Sequence, residues 1–315
     1  MEKYIQSKSI LTRLGRERLV GRRLMILLAV VPVLIFYGVW FVIPIFYSLT
    51  MSFFDWNPLA TQAKFLGLAN YVNAFTQDPL FWVSLRNTLY YMLVTVPVGI
   101  FISLIVALLI NSLPRWVGLY RLIYFIPVVT SMVAVSIVWK ALYQTRFGLI
   151  NQILQLVLVD TLHLHINAFV PWLSNISLAM PSIMIMSIWK NLGFTMVLFL
   201  AGLTSIPKVY YDAAMVDGAG RWDLFRHITF PLLQPTMVFV TITGVIGALQ
   251  EFTPMYVMTS GGPVNATKTI VFALWEQAFK NFRFGYASAL AFILFIIIMA
   301  LTLLQWRMMK IHWEY

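Results

Sequence analysis

The sequence predicts an all-α, polytopic membrane protein with six transmembrane helices. Of its 315 residues, 61% are hydrophobic and only 10% charged, too little polar surface to coat a soluble domain, so lipid must cover much of the chain. The long charge-free runs each offer about 20 residues to the hydrocarbon, as a helix needs, whereas barrel strands need about 10 in strict alternation. Pro32, Pro44, Pro97, Pro127, Pro181 and Pro254 lie within or beside these runs. Such prolines break soluble helices but are tolerated in a packed bundle whose neighbours satisfy the freed backbone groups.

Residues 1–23 form a short basic tail, followed by a first apolar run at 24–54. That run exceeds the apolar core of a secretion signal and has no A-x-A cleavage pattern, so it is expected to remain as an anchor. A connection at 53–81 leads to the second run, 87–114, and a third follows at 122–139. The uncharged stretch 147–159 is too short to cross and is expected to lie along the outer surface. A fourth region runs up to Trp189 and continues past Lys190 to Pro207; the fifth spans 228–250 and the sixth 284–306. The transmembrane domain is thus placed at 24–310, with a short terminal segment at 311–315. No fixed-period repeat, low-complexity segment or coiled-coil heptad is visible.

Basic residues orient the bundle. With the N-terminus inside, Lys3, Lys8, Arg13, Arg16, Arg18, Arg22, Arg23, Arg115, Arg121, Lys208, Arg221, Arg226, Arg307 and Lys310 face the cytoplasm. Lys64, Arg86, Lys140, Arg146, Lys268, Lys280 and Arg283 face outward, half as many, so the positive-inside rule places both termini in the cytoplasm. The net charge of +11 is then explained by orientation and attraction to anionic lipid rather than by nucleic acid. The absence of cysteine excludes disulfides, thiolate catalysis and cysteine-ligated metals. His163 and His165 form an H-x-H pair without a convincing third ligand, and no GxxxxGK[ST] phosphate loop occurs.

Between the fourth and fifth runs, 204–234, the composition changes to small, acidic and aromatic residues. Pro207 can open a short helix at 208–216, Gly218 can end it in the left-handed region, and 222–228 can form a second helical piece. Pro231 opposes a simple continuation, and Pro235 can start the fifth span. Ala213, Ala214 and Ala219 permit close approach of a partner, while Asp212 and Asp217 offer charge-assisted bonds to partner Arg or Lys. The plain alternative is a capped connection packed on its own bundle.

The order Asp212-Ala213-Ala214, then Gly218, Ile228 and Pro231, resembles the cytoplasmic "EAA" loop of permease subunits in ATP-binding-cassette importers. Two further segments resemble the carbohydrate-type permeases, the maltose and glycerol-phosphate class: Phe65-Leu66-Gly67-Leu68-Ala69-Asn70-Tyr71, and Met258-Thr259-Ser260-Gly261-Gly262-Pro263 with Thr267 and Thr269. Phe279, Gly285, Tyr286, Ala287 and Ala289 continue the likeness.

The resemblance implies a type I, maltose-permease-like fold in the cytoplasmic membrane. It also implies a second permease subunit of similar fold, two ATP-binding-cassette subunits below and an external solute-binding protein above. The ATPase would be engaged through Asp212, Ala213, Ala214, Asp217, Gly218, Ala219, Phe225, Ile228 and Pro231. Thr259, Gly261, Gly262 and Pro263 would form an outer gate loop. This chain would be no enzyme and bind no cofactor, ATP and Mg belonging to the partner subunits. The solute would be a sugar, oligosaccharide, polyol or glycerol phosphate. Asp212 stands where the family usually has glutamate, so a salt bridge there would need a closer approach. The extra N-terminal helices and large external insertion of the maltose permease are absent.

Two charges fall inside the runs. Lys190 lies 13 residues before Leu203, and Glu251 lies 15 residues after Thr236, so both sit about 20 Å from the inner ends of their helices. Charges at that depth need a partner or a water-filled path. They are expected to approach each other or to line one translocation cavity together with Ser187, Trp189, Asn191 and Gln250; the maltose permease has polar residues at the positions of Ser187, Gln250 and Glu251. A structural ion pair is the alternative. The rival function is a secondary transporter or channel using Lys190 and Glu251 as an ion relay. A membrane enzyme would need paired carboxylates or a nucleophile with its base at one depth, and neither set emerges.

Overall fold

A computed structural model describes residues 25–60, 62–163 and 169–309. The basic tail, residues 311–315, Lys310 and His165 lie outside the described residues. Four helices are long and apolar enough to cross a membrane: Met25–Met51, Pro79–Asn111, Ile176–Ser205 and Phe284–Met308. Two bent pairs, Val117–Val129 with Met132–Leu142 and Arg221–Leu232 with Gln234–Leu249, complete six spans in the expected order. Among the described residues the only strands are Phe54–Asp55 and Lys64–Phe65, one short antiparallel pair, so the all-α class holds.

The boundaries shift for local reasons. The second span begins at Pro79 rather than at residue 87, because Asp78 caps it by accepting the Leu80 N–H at 2.9 Å and Arg86 is carried within the helix. The third span, expected as one helix, turns by 96° between Val129 and Met132. Pro127 has no N–H to donate, and Thr130 and Ser131 adopt extended dihedrals, so the helix stops. The carbonyls stranded there find side-chain donors: Thr130 Oγ1 donates to Pro127 O at 2.6 Å, and Lys190 Nζ to Val128 O at 3.4 Å.

Pro97 and Pro181 lie inside continuous α-helices, and two other prolines are absorbed by widened turns. A π-helical turn at Gly38–Val42 precedes Pro44, and another at Phe225–Thr229 precedes Pro231. Each spreads the backbone just ahead of the residue that cannot donate. Pro231 therefore does not end its helix, which runs from Arg221 to Leu232 before bending by 60° into the fifth span at Gln234.

The second and fourth spans pack along each other at the centre, with the first half of the third span and the fifth span against them. Gly193 permits this closeness: a Cβ there would lie 1.9 Å from the Tyr124 carbonyl. Two buried clusters result, one around Ile183, Met186, Leu249 and Leu290, the other around Phe199, Leu200, Leu203 and Leu233. The apolar window of the first span is unburied within this chain, though Ser48 hydrogen-bonds Ser288 of the sixth span at 3.2 Å. Leu149–Thr161 forms a separate helix, pinned where Asn151 Nδ2 donates to Thr145 O and Val170 O and its Oδ1 accepts from Trp172 Nε1.

Candidate functional site

Three places carry the polar chemistry: a helical hairpin before the fifth span, a cavity among the second, fourth and fifth spans, and a loop after the fifth.

The hairpin consists of Lys208–Val216 and Arg221–Leu232. Gly218, at φ +85°, makes the turn, and Ala219 N donates to Ala214 O at 2.9 Å. Asp223 closes the second helix by accepting the Gly220 N–H at 3.1 Å. Its root is held by a 3.0 Å bond between Tyr211 Oη and Thr229 Oγ1, with Tyr211 and Ile228 packed on the cluster containing Leu203 and Leu233. The free end is different. Asp212, Ala213, Asp217 and Gly218 are exposed, and Ala214 and Ala219 partly so; toward the root, Pro231 is exposed while Phe225 and Ile228 are half-buried. Val216 is 88% exposed and Trp222 67%, apolar surface that sequence reasoning did not single out.

The cavity has a volume of about 250 Å³. Of the expected residues, Ser187, Asn191 and Glu251 line it, while Trp189, Lys190 and Gln250 do not. Trp189 is instead 5.4 Å, centroid to centroid, from Trp139; Gln250 is an exposed residue ending the fifth helix. Lys190 is buried against the break in the third span. No ion pair joins it to Glu251 among the described residues, so a direct relay between the two charges has no contact to run through. Tyr91, Thr95 and Ser103 contribute from the second span, with Thr195 and Thr243 from its neighbours. The signal that could have found them is local: Tyr91, Thr95, Gly99 and Ser103 recur every four residues and so share one face of an otherwise apolar helix.

The loop after the fifth span is tied down by its own polar groups. Thr267 Oγ1 donates to Gly262 O at 2.9 Å and lies 2.6 Å from Thr259 Oγ1. Thr269 Oγ1 donates to Glu251 O at 3.1 Å, which joins this loop to the cavity. Gly261 sits at φ +82° and the Gly262–Pro263 bond is cis. Two residues of the second span that the sequence did not flag anchor it: Asn87 Nδ2 donates to Asn265 O and Lys268 O, and Thr88 Oγ1 accepts the Ile270 N–H. Lys268 pairs with Glu276. Partial burial pushes the Glu276 carboxyl up, but the bonds and charges of Lys268 and Lys280 outweigh it and hold it below its ordinary value.

Six spans, a cavity lined by polar and apolar groups of the second, fourth and fifth, and an exposed hairpin before the fifth are the arrangement of a membrane permease. Residues 85–310 match the family of binding-protein-dependent transport system inner membrane components, and the chain belongs to it. It is 33% identical over 285 residues to the probable ABC transporter permease protein YurN of Bacillus subtilis, covering 90% of this chain and 95% of that one. It is likewise 33% identical over 282 residues to the lactose transport system permease protein LacF of Rhizobium radiobacter, covering 88% and 91%. In fold it is similar to a chain of a bacterial alginate ABC transporter solved with an alginate pentasaccharide-bound periplasmic protein. That match has a TM-score of 0.79 at 22% identity and covers 92% of this chain and 96% of the other.

Proposed function

We propose that this chain is the permease subunit of an ATP-driven importer that brings a carbohydrate, polyol or glycerol phosphate across the cytoplasmic membrane by alternating access. The observation that carries this reading is the exposed hairpin, an apolar and acidic knob built between two spans in a chain of this family. A second permease of similar fold completes the pathway, and an external binding protein delivers solute. The carbohydrate class is supported by the names of relatives such as LacF and by the neutral hydroxyl and amide groups around the cavity.

Both termini face the cytoplasm, as the distribution of Lys and Arg favours. The hairpin then projects inward, where Asp212, Ala213, Ala214, Asp217, Gly218, Ala219, Phe225, Ile228 and Pro231 form a knob for a groove on an ATPase subunit. ATP and Mg bind to that subunit, none to this chain. Closure of the ATPase pair pushes the hairpin, and its continuous helix to Leu232 passes the movement to the fifth span across the 60° bend. Ser187, Asn191 and Glu251 face the solute, and Lys190 steadies the third-span break. Thr259, Gly261, Gly262 and Pro263 form the outer gate.

Affinity purification of the tagged chain in mild detergent tests the assembly. An ATPase subunit and a second permease are expected in the complex, with ATP hydrolysis stimulated by the loaded binding protein. Recovery of this chain alone, transporting solute without ATP, would overturn the proposal in favour of an ion-driven carrier.

A further inference from the structure

The cavity contains one charged side chain among its described lining residues, Glu251. Its other polar groups, Tyr91, Thr95, Ser187, Asn191 and Thr243 among them, are neutral. The nearest candidate for neutralising it, Lys190, is only 8% exposed, directs its ammonium to the Val128 carbonyl at 3.4 Å and takes no part in the lining. That carbonyl lies at the C-terminal end of Val117–Val129, where the helix dipole is negative and holds a cation well. No ion pair joins Lys190 and Glu251 among the described residues. Glu251 itself is fixed where the fifth helix ends, its Oε1 accepting the Phe252 N–H at 3.3 Å.

We infer that Glu251 is a specificity-determining residue that gives the cavity a cation preference, restricting its solute to neutral or positively charged polyhydroxyl compounds and rejecting phosphorylated and acidic sugars. The inference rests on reading this cavity as the solute pathway, and narrows the class proposed above. Like charges about 5 Å apart in a medium of effective dielectric about 20 repel strongly enough to reduce occupancy on the order of 100-fold. A hydroxyl-rich neutral solute meets no such barrier and can donate to the carboxylate. The bland alternative, that Glu251 serves only to satisfy the backbone after the fifth helix, predicts no effect on the potential inside the cavity.

A chain without cysteine allows this potential to be measured without knowing the solute. Thr243→Cys places a thiol on the cavity wall, two helical turns before Glu251. In the assembled transporter, rates of adduct formation on this chain are compared for a cationic trimethylammonioethyl methanethiosulfonate and an anionic sulfonatoethyl methanethiosulfonate. Both rates are normalised to those with a free thiol. The cationic reagent is expected to be favoured by about tenfold, Glu251→Asp to keep the preference and Glu251→Gln to bring it to about one.

A normalised ratio at or below one in the chain that retains Glu251 overturns the inference, whether or not the Glu251 variants assemble. An unchanged ratio in an assembled Glu251→Gln transporter overturns it as well. Failure of both reagents to reach the thiol from either side of the membrane would instead remove the aqueous pathway, and the inference with it. Labelling without charge preference leaves the pathway standing and removes only the role of Glu251.

Discussion

Before the fifth span, the connection through Lys208–Val216 and Arg221–Leu232 turns Val216 and Trp222 outward, both largely exposed. After the same span, the connection through Thr259 and Thr269 turns inward: Met258, Thr267, Lys268, Thr269 and Ile270 are buried, and its backbone carbonyls are met by Asn87 and Thr267. A loop that satisfies its own polar groups and leaves a single aliphatic side chain outside, Val264 at 80% exposed, has little to offer a partner. One that leaves indole and aliphatic surface on a short, capped helical frame is stable only at its root and is complete only when covered. The hairpin should therefore be costly to change for assembly and cheap for folding, and the later loop the reverse.

The largest effect is expected from the pair Val216→Asp and Trp222→Ala. Removing an aromatic anchor and placing a charge in the contact should weaken capture of an ATPase subunit by about 4 kcal/mol, on the order of 1,000-fold. The thermal stability of the separated chain should change by no more than about 1 kcal/mol, since both positions are surface ones. A drop in melting temperature with capture intact would reverse the assignment of the two loops. Asn87→Leu should do the opposite. Only 6% exposed, Asn87 donates to two carbonyls; its loss takes the side-chain donor from the Lys268 carbonyl and leaves the Asn265 carbonyl only the Lys268 N–H, at a cost of about 2 kcal/mol. Detergent melting curves should register this while ATPase capture is unchanged.

Gly261→Ala is expected to cost less, about 1 to 2 kcal/mol, because φ +82° disfavours any side chain and a Cβ would meet the Phe272 ring at 3.1 Å. Gly218→Ala, at φ +85° with open space around it, isolates the backbone part of the same penalty. If the two substitutions lowered the melting temperature equally, packing against Phe272 would contribute nothing to the later loop.

How much of this was legible follows from what each feature depends on. The short helix after Pro207, the left-handed Gly218 and the start of the fifth span at Pro235 are set by residues next to one another, and the sequence shows them. The sharp turn in the third span also has a local sign, Pro127, but prolines recur in the other spans, inside continuous helices at Pro97 and Pro181 and behind widened turns at Pro44 and Pro231. Which proline bends its helix depends on who receives the freed carbonyls. Here Lys190, 62 residues away, receives one of them. The same contact explains why the depth argument placed Lys190 level with Glu251 but could not choose its partner: rise per residue fixes height in a helix, not azimuth. Asn87 and Thr88 were passed over because their partners lie in a loop about 180 residues later.

The smallest effect sharpens the comparison through pH. Glu276 follows the anchored loop and pairs with Lys268 and Lys280; its carboxyl is held below the ordinary value of 4.5 despite partial burial. A depressed carboxylate stabilises the folded state fully above its unfolded pKa, and that contribution fades as pH falls through 4.5 toward the lower folded value. Melting temperatures measured between pH 6 and pH 3 should therefore fall more for the parent chain than for Glu276→Gln, with the two curves converging at the acid end. The difference should be small, because Lys280 is half exposed and its share of the pairing is screened by solvent. No such acid-dependent difference is expected in ATPase capture between pH 6 and pH 7, where Glu276 is ionised in both states. Parallel pH curves for the two proteins would mean that the Lys268 pair adds nothing to the loop beyond the hydrogen bonds of Asn87, Thr88 and Thr267.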